Sequence, residues 1–348
     1  MASSVVGVDI GSTSVRAVEV SRSKTMPTLV RFLEIALPEG AVSRGEVIEP
    51  HTVGAVIKRI WSTGGFKSKN VVLGMGNQRV FARDLTVPRA SLAHIREALP
   101  FHVQDMLPVP VADAILDFYP ISESTTESGP VVHGLLIAAI KDAVLGNVKA
   151  VQQAGLNPLE VDLIPFALSR VLISRPGLKG TIVLIDVGAN AASVVIAVNG
   201  VPRFVRIIPA GGEDLTQALK LRLEIDVTVA EALKKRLGLA TQVATDEERT
   251  AVEVIYEVTG DLLGSLRNTI NYFMNLSPQD PISQILLTGG GAQLTGFQKA
   301  LAEIMRIPVT EADPYATIKL SRSIDAENLQ RSRTSMTVAL GLALGSLA

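Results

Sequence analysis

The chain has 348 residues, of which 47% are hydrophobic and 19% charged, with a formal net charge of −1 at pH 7 and no cysteine. This is the composition of a globular protein with room for two domains. The near-zero net charge gives no electrostatic reason to expect nucleic acid or a membrane surface as a partner, and the lack of cysteine excludes disulfides and thiolate metal sites.

The first predicted element is a pair of apolar strands joined by a turn of small residues, within residues 5–20. Backbone N–H groups and short hydroxyls in the turn at residues 11–14 can converge on an anion. Asp9, just before the turn, can hold Mg²⁺ through water, and Arg16 follows within reach of a phosphate. Taken alone, the stretch fits equally well an ordinary hairpin whose turn satisfies its own hydrogen bonds.

Apolar periodicity predicts the other elements of the first half. They are a strand at 28–37, a connection at 45–48, a helix at 51–63 ended by Gly64 and Gly65, and a strand at 69–75. Next come a strand at 79–88, a helix at 91–99 capped by Ser91 and stopped before Pro100, a strand at 114–121, a polar loop at 122–129, a strand at 131–140, a helix at 141–154 and a strand at 157–162. A helix at 165–174 leads to a boundary near 175–177. We interpret 78–162 as an α+β module inserted in the first half.

Residues 181–200 repeat the opening pattern, with an apolar strand, Asp186, Gly188, further small residues and a second apolar strand. A repeat half a chain apart predicts two related halves that face each other. Two such hairpins could clamp one polyphosphate and its metal. A third motif, at 285–297, is a buried strand that runs into Gly289-Gly290-Gly291 and a helix, and these glycines permit the close approach of a base or ribose.

The remaining elements of the second half follow from the same patterns. They are a strand at 201–209, a helix that begins at Gly211-Gly212, a helix at 227–237 closed by Gly238, a long helix at 246–275, a strand near 308–311 and an apolar helix at 334–347. The Gly211-Gly212 helix start offers N–H groups to a phosphate, although a plain N-cap explains it too. Glu231 and Lys234, three residues apart on one helix, form a surface ion pair in the common case.

These motifs, taken in this order, resemble those of the actin-like ATPase superfamily. The resemblance implies an α/β fold of two related domains around a nucleotide cleft that binds ATP and Mg²⁺. The metal would be held through water by Asp9 and Asp186. The phosphates would be held by Gly11, Ser12, Thr13, Ser14, Arg16, Gly188, Ala189, Gly211 and Gly212, the ribose and adenine flanked by Glu231 and Lys234, and the adenine lined by Gly290, Gly291 and Ala292.

The expected domains follow from the same resemblance. The first domain comprises 1–77 and 163–178, the inserted subdomain 78–162, and the second domain 179–348, with a helical subdomain at 213–280. The insert resembles the one that FtsA carries in place of actin's second subdomain. Phrases along nearly the whole chain are similar to the PilM family of type IV pilus assembly, above all AIKDAVLGNVKAVQQAGLNPLEVD.

Membership of that family would imply an ATP-binding cytoplasmic adaptor. Its expected partners are a PilN-type single-span membrane protein, bound through its N-terminal cytoplasmic peptide in a groove beside the insert, and other pilus assembly proteins. We therefore expect peripheral placement at the inner face of the cell membrane, without direct membrane insertion and without nucleic acid, while self-association stays open. The chain shows no signal peptide and no run of about 18 apolar residues that could span a membrane.

The second hairpin departs from the pattern of active superfamily members, which carry Gly and Thr where this chain has Ala189-Asn190-Ala191-Ala192-Ser193. No general base stands out, so we predict slow or absent hydrolysis and leave the catalytic residues unknown.

One alternative function is an FtsA-like division filament protein, which the lack of a basic amphipathic tail disfavours. Another is a sugar or acetate kinase, which needs a carboxylate that deprotonates a substrate hydroxyl. A DnaK-type chaperone is excluded by length.

Overall fold

Strands and helices alternate along most of the chain in the computed structural model, which describes residues 4–21 and 26–345. The strands are β1 (Ser4–Ile10), β2 (Ser14–Ser21), β3 (Thr28–Ala36), β4 (Val42–Ser43), β5 (Glu46–Val47), β6 (Asn70–Met75), β7 (Val80–Pro88), β8 (Ala114–Thr126), β9 (Gly129–Ile140), β10 (Asn157–Leu163), β11 (Thr181–Val187), β12 (Ala192–Val198), β13 (Val201–Ile208), β14 (Ile282–Thr288), β15 (Val309–Glu311) and β16 (Lys319–Leu320). The helices are α1 (Pro50–Gly64), α2 (Leu92–His102), α3 (Lys141–Gln153), α4 (Ile164–Ser169), α5 (Gly212–Leu223), α6 (Val227–Leu237), α7 (Asp246–Leu276), α8 (Phe297–Met305), α9 (Ala326–Arg331) and α10 (Thr337–Gly345).

Two sheets share one plan. In the first, β1, β2 and β3 form an antiparallel meander, with β6 parallel to β1 and β10 parallel to β6. In the second, β11, β12 and β13 form the meander, with β14 parallel to β11 and β15 parallel to β14. Asp9 pairs with Arg16 across the first hairpin, and Asp186 pairs with Ser193 across the second. The internal repeat predicted from the sequence is therefore real.

Helices cover both faces of each sheet, which explains why the central strands read as continuous apolar runs. Helices α1 and α3 cover the outer face of the first sheet, and α7 and α8 cover the outer face of the second. Between the sheets lies a third cluster, which includes residues of α4 and α10. None of the helices in the described ranges is long and apolar enough to cross a membrane.

The last elements of the chain return to the first sheet, where the structure differs from the predicted division at residue 179. Strand β16 pairs in parallel with β3, and α10 packs on β1 so closely that a Cβ added at Gly7 would lie 1.9 Å from the Ala339 carbonyl oxygen. The apolar pattern of α10 predicted its burial but could not say against which sheet. The helix begins at Thr337 rather than 334, and the predicted end at 347 lies outside the described residues. Helix α9 and strand β16 were not predicted.

Strands β7, β9 and β8 form a separate three-stranded sheet, with α2 packed on it around a small core of its own. The polar loop predicted at 122–129 is wrong, because β8 continues to Thr126 and pairs with β9 through its backbone, which requires no apolar side chains. The end predicted before Pro100 is also wrong: α2 reaches His102 and buries Leu99, while the predicted Ser91 cap is present. A proline near the end of a helix removes only one hydrogen bond.

The inserted sheet is shorter than the predicted module of 78–162. Helix α3 packs against α1, and β10 is the edge strand of the first sheet beside β6. The two ends of the inserted sheet meet, because the Ile140 N–H donates to the Arg79 carbonyl oxygen at 2.9 Å. Residues 80–139 therefore leave and rejoin the first half at almost one point.

Candidate functional site

A cavity of about 930 Å³ lies where the turns of the two hairpins meet. All but two of the residues predicted to bind ligand line it. Those present are Asp9, Gly11, Ser12, Thr13, Arg16, Asp186, Gly188, Ala189, Gly211, Gly212, Glu231, Lys234, Gly290 and Gly291. The two that do not line it are Ser14 and Ala292.

The first hairpin holds its side chains in an ion-pair network. The Gly11 N–H donates to the Ser14 carbonyl oxygen at 3.0 Å and closes the turn. The Arg16 guanidinium lies 2.9 Å from Asp9 Oδ2 through Nη1 and 2.9 Å from Glu34 Oε1 through Nε. The Ser14 hydroxyl donates to the same Glu34 oxygen at 2.6 Å, which explains why Ser14 does not line the cavity.

Glu34 was missed by sequence reasoning, because only the register of β3 against β2 places it opposite Arg16. Its other carboxylate oxygen accepts from the Ser335 hydroxyl at 3.1 Å, so it links the hairpin to the segment before α10. Burial alone would raise the pKa of Glu34, but Arg16 and the two hydroxyls outweigh it and lower the pKa. Glu34 is therefore held as a carboxylate.

The second hairpin leaves its acid without a matching cation. The Gly188 N–H donates to the Ala191 carbonyl oxygen at 2.9 Å and closes the turn, as in the first hairpin. Opposite Asp186 stands Ser193, where the first hairpin has Arg16. Burial, with a further contribution from the Asp9 carboxylate, raises the pKa of Asp186 to about 7. The site thus holds one buried carboxylate, Asp9, and one half-buried carboxylate, Asp186, near enough to interact.

The start of α5 docks on the second hairpin. The N–H groups of Gly212 and Glu213 donate to the carbonyl oxygens of Gly188 and Ala189 at 2.9 and 2.8 Å. The Gly211 N–H donates to Asp214 Oδ2 at 2.8 Å. These N–H groups thus have protein acceptors, and Gly211 and Gly212 line the cavity without offering it the donors that the sequence suggested.

Three glycines that follow β14 line the cavity, and they differ in how much space each leaves for a Cβ atom. Gly289 has φ +96°, and a Cβ there would lie 2.3 Å from the Val187 carbonyl oxygen. A Cβ on Gly291 would lie 2.7 Å from Val187 Cγ1, whereas one on Gly290 would meet no atom within 4 Å. The next residue, Ala292, packs in the core of the second sheet, which is why it does not line the cavity.

Other residues line the cavity although no sequence motif predicted that they would. Among them are Arg44, Asn77, Asn147, Ile164, Thr228, Lys235, Thr259, Thr334 and Ser335. Asn147 and Thr259 are 3% and 1% exposed, and among the described residues neither Asn147 Oδ1 nor Thr259 Oγ1 has a hydrogen-bond partner. Tertiary packing alone brings these side chains, from α3 and α7, to the cavity.

Comparison with known proteins gives one family across almost the whole chain. The family model described as type IV pilus assembly protein PilM matches residues 7–347. A solved structure of a PilM–PilN type IV pilus biogenesis complex contains a chain that is 27% identical, with a TM-score of 0.87 over 99% of this chain and 98% of that one. MreB5 of Spiroplasma citri bound to AMPPNP is 12% identical, with a TM-score of 0.54 over 98% and 95% of the two chains. The likeness to MreB5 concerns the fold alone, and together these structures confirm the predicted actin-like fold.

Curated sequence relatives are cell division proteins FtsA. The protein of Bacillus subtilis is 26% identical over 208 residues, which cover 53% of this chain and 45% of that one. The protein of Neisseria meningitidis is 26% identical over 239 residues, covering 61% and 56%. The chain thus spans about half the length of these two relatives. The PilM family model, in contrast, matches almost all of this chain.

Proposed function

The chain belongs to the PilM family of type IV pilus assembly proteins, and from this premise we propose that it is an ATP-binding, actin-like adaptor. In this proposal it binds the N-terminal cytoplasmic peptide of a PilN-type inner-membrane protein. It would lie at the inner face of the cell membrane through that partner. The likeness to a chain of a PilM–PilN complex supports the choice of partner.

The observation that carries the nucleotide part is the meeting of two hairpin turns, with Asp9 and Asp186, at one cavity. About 930 Å³ is within the range of small-molecule sites. Mg²⁺ fits the donor set, because it usually keeps several waters and takes one or two carboxylates together with phosphate oxygens. Burial raises the pKa of Asp186, and a cation bound there would lower it again, because the cation favours the carboxylate over the protonated form.

The chain's own residues have distinct tasks in this proposal. Asp9 and Asp186 hold Mg²⁺ through water, and the metal would neutralise part of the phosphate charge. Arg16 lies between Asp9 and Glu34 at the first turn and would contact a phosphate oxygen. The turn of the second hairpin brings Ala189 and Ala191 to the cavity, and α4 brings Ile164. None of these three side chains can orient a water, and only Asn190 and Ser193 are polar in that turn, so we infer slow or absent hydrolysis.

The inserted sheet is our candidate for the partner site. It has its own small core and carries none of the side chains proposed to hold nucleotide. It contacts the rest of the protein in part through the Tyr119 and Phe166 rings, whose centroids are 4.7 Å apart. An extended peptide can bind beside such a module through backbone pairing and a few apolar anchors.

Calorimetric titration tests both parts. We expect ATP to bind in the presence of Mg²⁺ and far more weakly in EDTA, and a synthetic PilN-type N-terminal peptide to bind the full chain. A variant in which two glycines replace residues 80–139 joins Arg79 to Ile140, whose backbones are already in contact. It should lose peptide binding and keep ATP binding, which serves as the folding control.

The outcomes separate the two parts of the proposal. Equal peptide affinity for both chains would remove the insert from the partner site. A full chain that binds ATP but no peptide would leave the nucleotide part standing alone. Lack of ATP binding by the full chain would refute the nucleotide part.

A further inference from the structure

Among the described residues, the cationic side chains that line the cavity are Arg16, Arg44, Lys234 and Lys235. Three of them have carboxylate partners within the protein. Arg16 lies 2.9 Å from Asp9 Oδ2 and 2.9 Å from Glu34 Oε1. Two carboxylates thus balance the charge of Arg16 before any ligand binds, although its remaining N–H bonds can still reach a phosphate.

The two lysines share the carboxylate of Glu231. The Lys234 ammonium lies 2.5 Å from Glu231 Oε2 and also donates to the Gly212 carbonyl oxygen at 3.0 Å and to Thr216 Oγ1 at 2.8 Å. An ammonium group has three N–H bonds, so none is left for a ligand. Lys235 lies 3.2 Å from Glu231 Oε1.

Arg44 differs from these three cations. Its side chain is exposed and lines the cavity, yet it forms no ion pair with any residue in the ranges 4–21 and 26–345. Binding an anion would therefore cost Arg44 no existing ion pair. In the described part of the chain, it is the cation of the cavity wall whose charge no carboxylate balances.

The backbone holds Arg44 in a conformation that arginine does not favour. Arg44 and Gly45 form the two-residue loop between β4 and β5, where Ser43 pairs with Glu46. Their φ angles are +48° and +77°, so both are left-handed, as in a type I′ turn. Asparagine or aspartate followed by glycine is the preferred pair in such a turn, because other side chains clash with the backbone there. Unfavourable backbone conformations of this kind cluster at ligand sites.

Hydrogen bonds fix the β4–β5 loop beside the first hairpin. The Leu37 N–H donates to the Thr13 carbonyl oxygen at 2.9 Å, so the segment that leads into β4 begins against the first turn. Asn77, which is 4% exposed, donates through Nδ2 to the Gly45 carbonyl oxygen at 2.8 Å. Its Oδ1 accepts from the Arg79 N–H at 2.9 Å. The loop is thus tied to the protein on both sides.

We propose that Arg44 binds a phosphate group of the nucleotide. A guanidinium can donate two parallel N–H bonds to phosphate oxygens. A polyphosphate adds several negative charges to a cavity that already holds Asp9 and Asp186, and Arg44 supplies positive charge that the protein has not used elsewhere. This inference rests on the proposed nucleotide site and adds a residue to it.

The test is a charge series at position 44 in the full chain. Affinity for ATP with Mg²⁺ is measured by calorimetry at low ionic strength, because salt screens exposed charges. Arg44→Lys should keep most of the affinity, Arg44→Asn should lose about tenfold or more, and Arg44→Asp should lose more than Arg44→Asn. The ligand-free melting temperature of the last two variants should equal or exceed that of the wild type, because both residues suit the left-handed conformation.

Arg306 provides the matched control. It is also an exposed arginine with a left-handed backbone, φ +55°, at the end of α8, and it does not line the cavity. Arg306→Asn and Arg306→Asp should change the melting temperature in the same direction and leave ATP affinity unchanged.

Three results would overturn the role of Arg44 while the nucleotide site stands. They are wild-type ATP affinity in Arg44→Asn, equal affinities in Arg44→Asn and Arg44→Asp, or a lower ligand-free melting temperature in both, which would mean that Arg44 supports the fold. A wild-type chain that does not bind ATP would overturn the nucleotide site as well.

Discussion

At the scale of single residues, Asp186 couples the stability of the protein to pH. Its pKa in the folded chain is about 7, against 3.8 for the ordinary side chain. The folded state therefore keeps a proton that the unfolded state releases between these values, so the free energy of unfolding falls as pH rises through this window. Each pKa unit corresponds to about 1.4 kcal/mol.

We accordingly predict that Asp186→Asn raises the melting temperature of the ligand-free protein, by several degrees at pH 8 and far less at pH 5. The same variant should lose Mg²⁺-dependent ATP binding, because the metal's carboxylate is gone. Differential scanning calorimetry across pH measures the first effect. The exposed Asp261 on α7 provides the control Asp261→Asn, and an equal gain at both pH values in Asp186→Asn would contradict the assigned pKa.

A second residue-scale prediction uses Gly290. Its added Cβ meets no atom within 4 Å and its φ is not positive, so the backbone tolerates a side chain that enters the cavity. Gly290→Glu should therefore abolish the ATP-induced rise in melting temperature and leave the ligand-free melting temperature nearly unchanged. Gly260→Glu is the matched control, because Gly260 on α7 also has open space and does not line the cavity. A full ATP shift in Gly290→Glu would mean that the ligand lies elsewhere.

At the scale of elements, α10 shows how a helix from the end of the sequence packs on the first half of the chain. It lies in the core between the two sheets, and Gly341 and Gly7 let it approach α4 and β1 closely. A Cβ on Gly341 would lie 2.3 Å from the Ala167 carbonyl oxygen. Both contacts are with backbone atoms, which cannot move aside as a flexible side chain can.

Gly7→Ala should therefore destabilise the protein by about 1–3 kcal/mol, the usual cost of overpacking a core. Gly264→Ala on α7 is the contrasting variant, since its Cβ meets nothing within 4 Å and alanine favours the helix by about 1 kcal/mol. Urea denaturation measures both. If the two substitutions changed stability with the same sign, the close packing of α10 on β1 would be refuted.

At the scale of the whole molecule, the proposed function is that the cavity binds ATP and hydrolyses it slowly or not at all. The two carboxylates and Arg16 supply charge, while Ala189 and Ala191 of the second turn and Ile164 of α4 have no polar group that could orient a water, and only Asn190 and Ser193 are polar in that turn. We predict ATP turnover below about 1 per second, under the usual range of enzymes. Phosphate release assays measure it, and tens of turnovers per second, or strong acceleration by a sugar or acetate acceptor, would favour the kinase alternative.

Local patterns in the sequence were enough to predict both hairpins and most helices. The apolar runs on either side of residues 11–14 and 188–191 fix strand, turn and strand over a few residues, and Gly65 and Gly238 mark helix ends by the backbone conformations that they permit. Most of the residues that these short motifs predicted to bind a ligand do line the cavity. Such features depend on neighbours along the chain, so one sequence suffices to find them.

The tertiary structure alone decided which distant elements meet. Strand β16 pairs with β3, and α10 packs on β1, although these elements lie far apart in the chain. The contact of Glu34 with Arg16 depends on the register of β3 against β2. The contacts of Lys234 were not predicted for the same reason, because two of its acceptors, Gly212 and Thr216, lie on another helix. Apolar periodicity says that a surface will be buried, but the partner that buries it is chosen by shape and register, which no local pattern records.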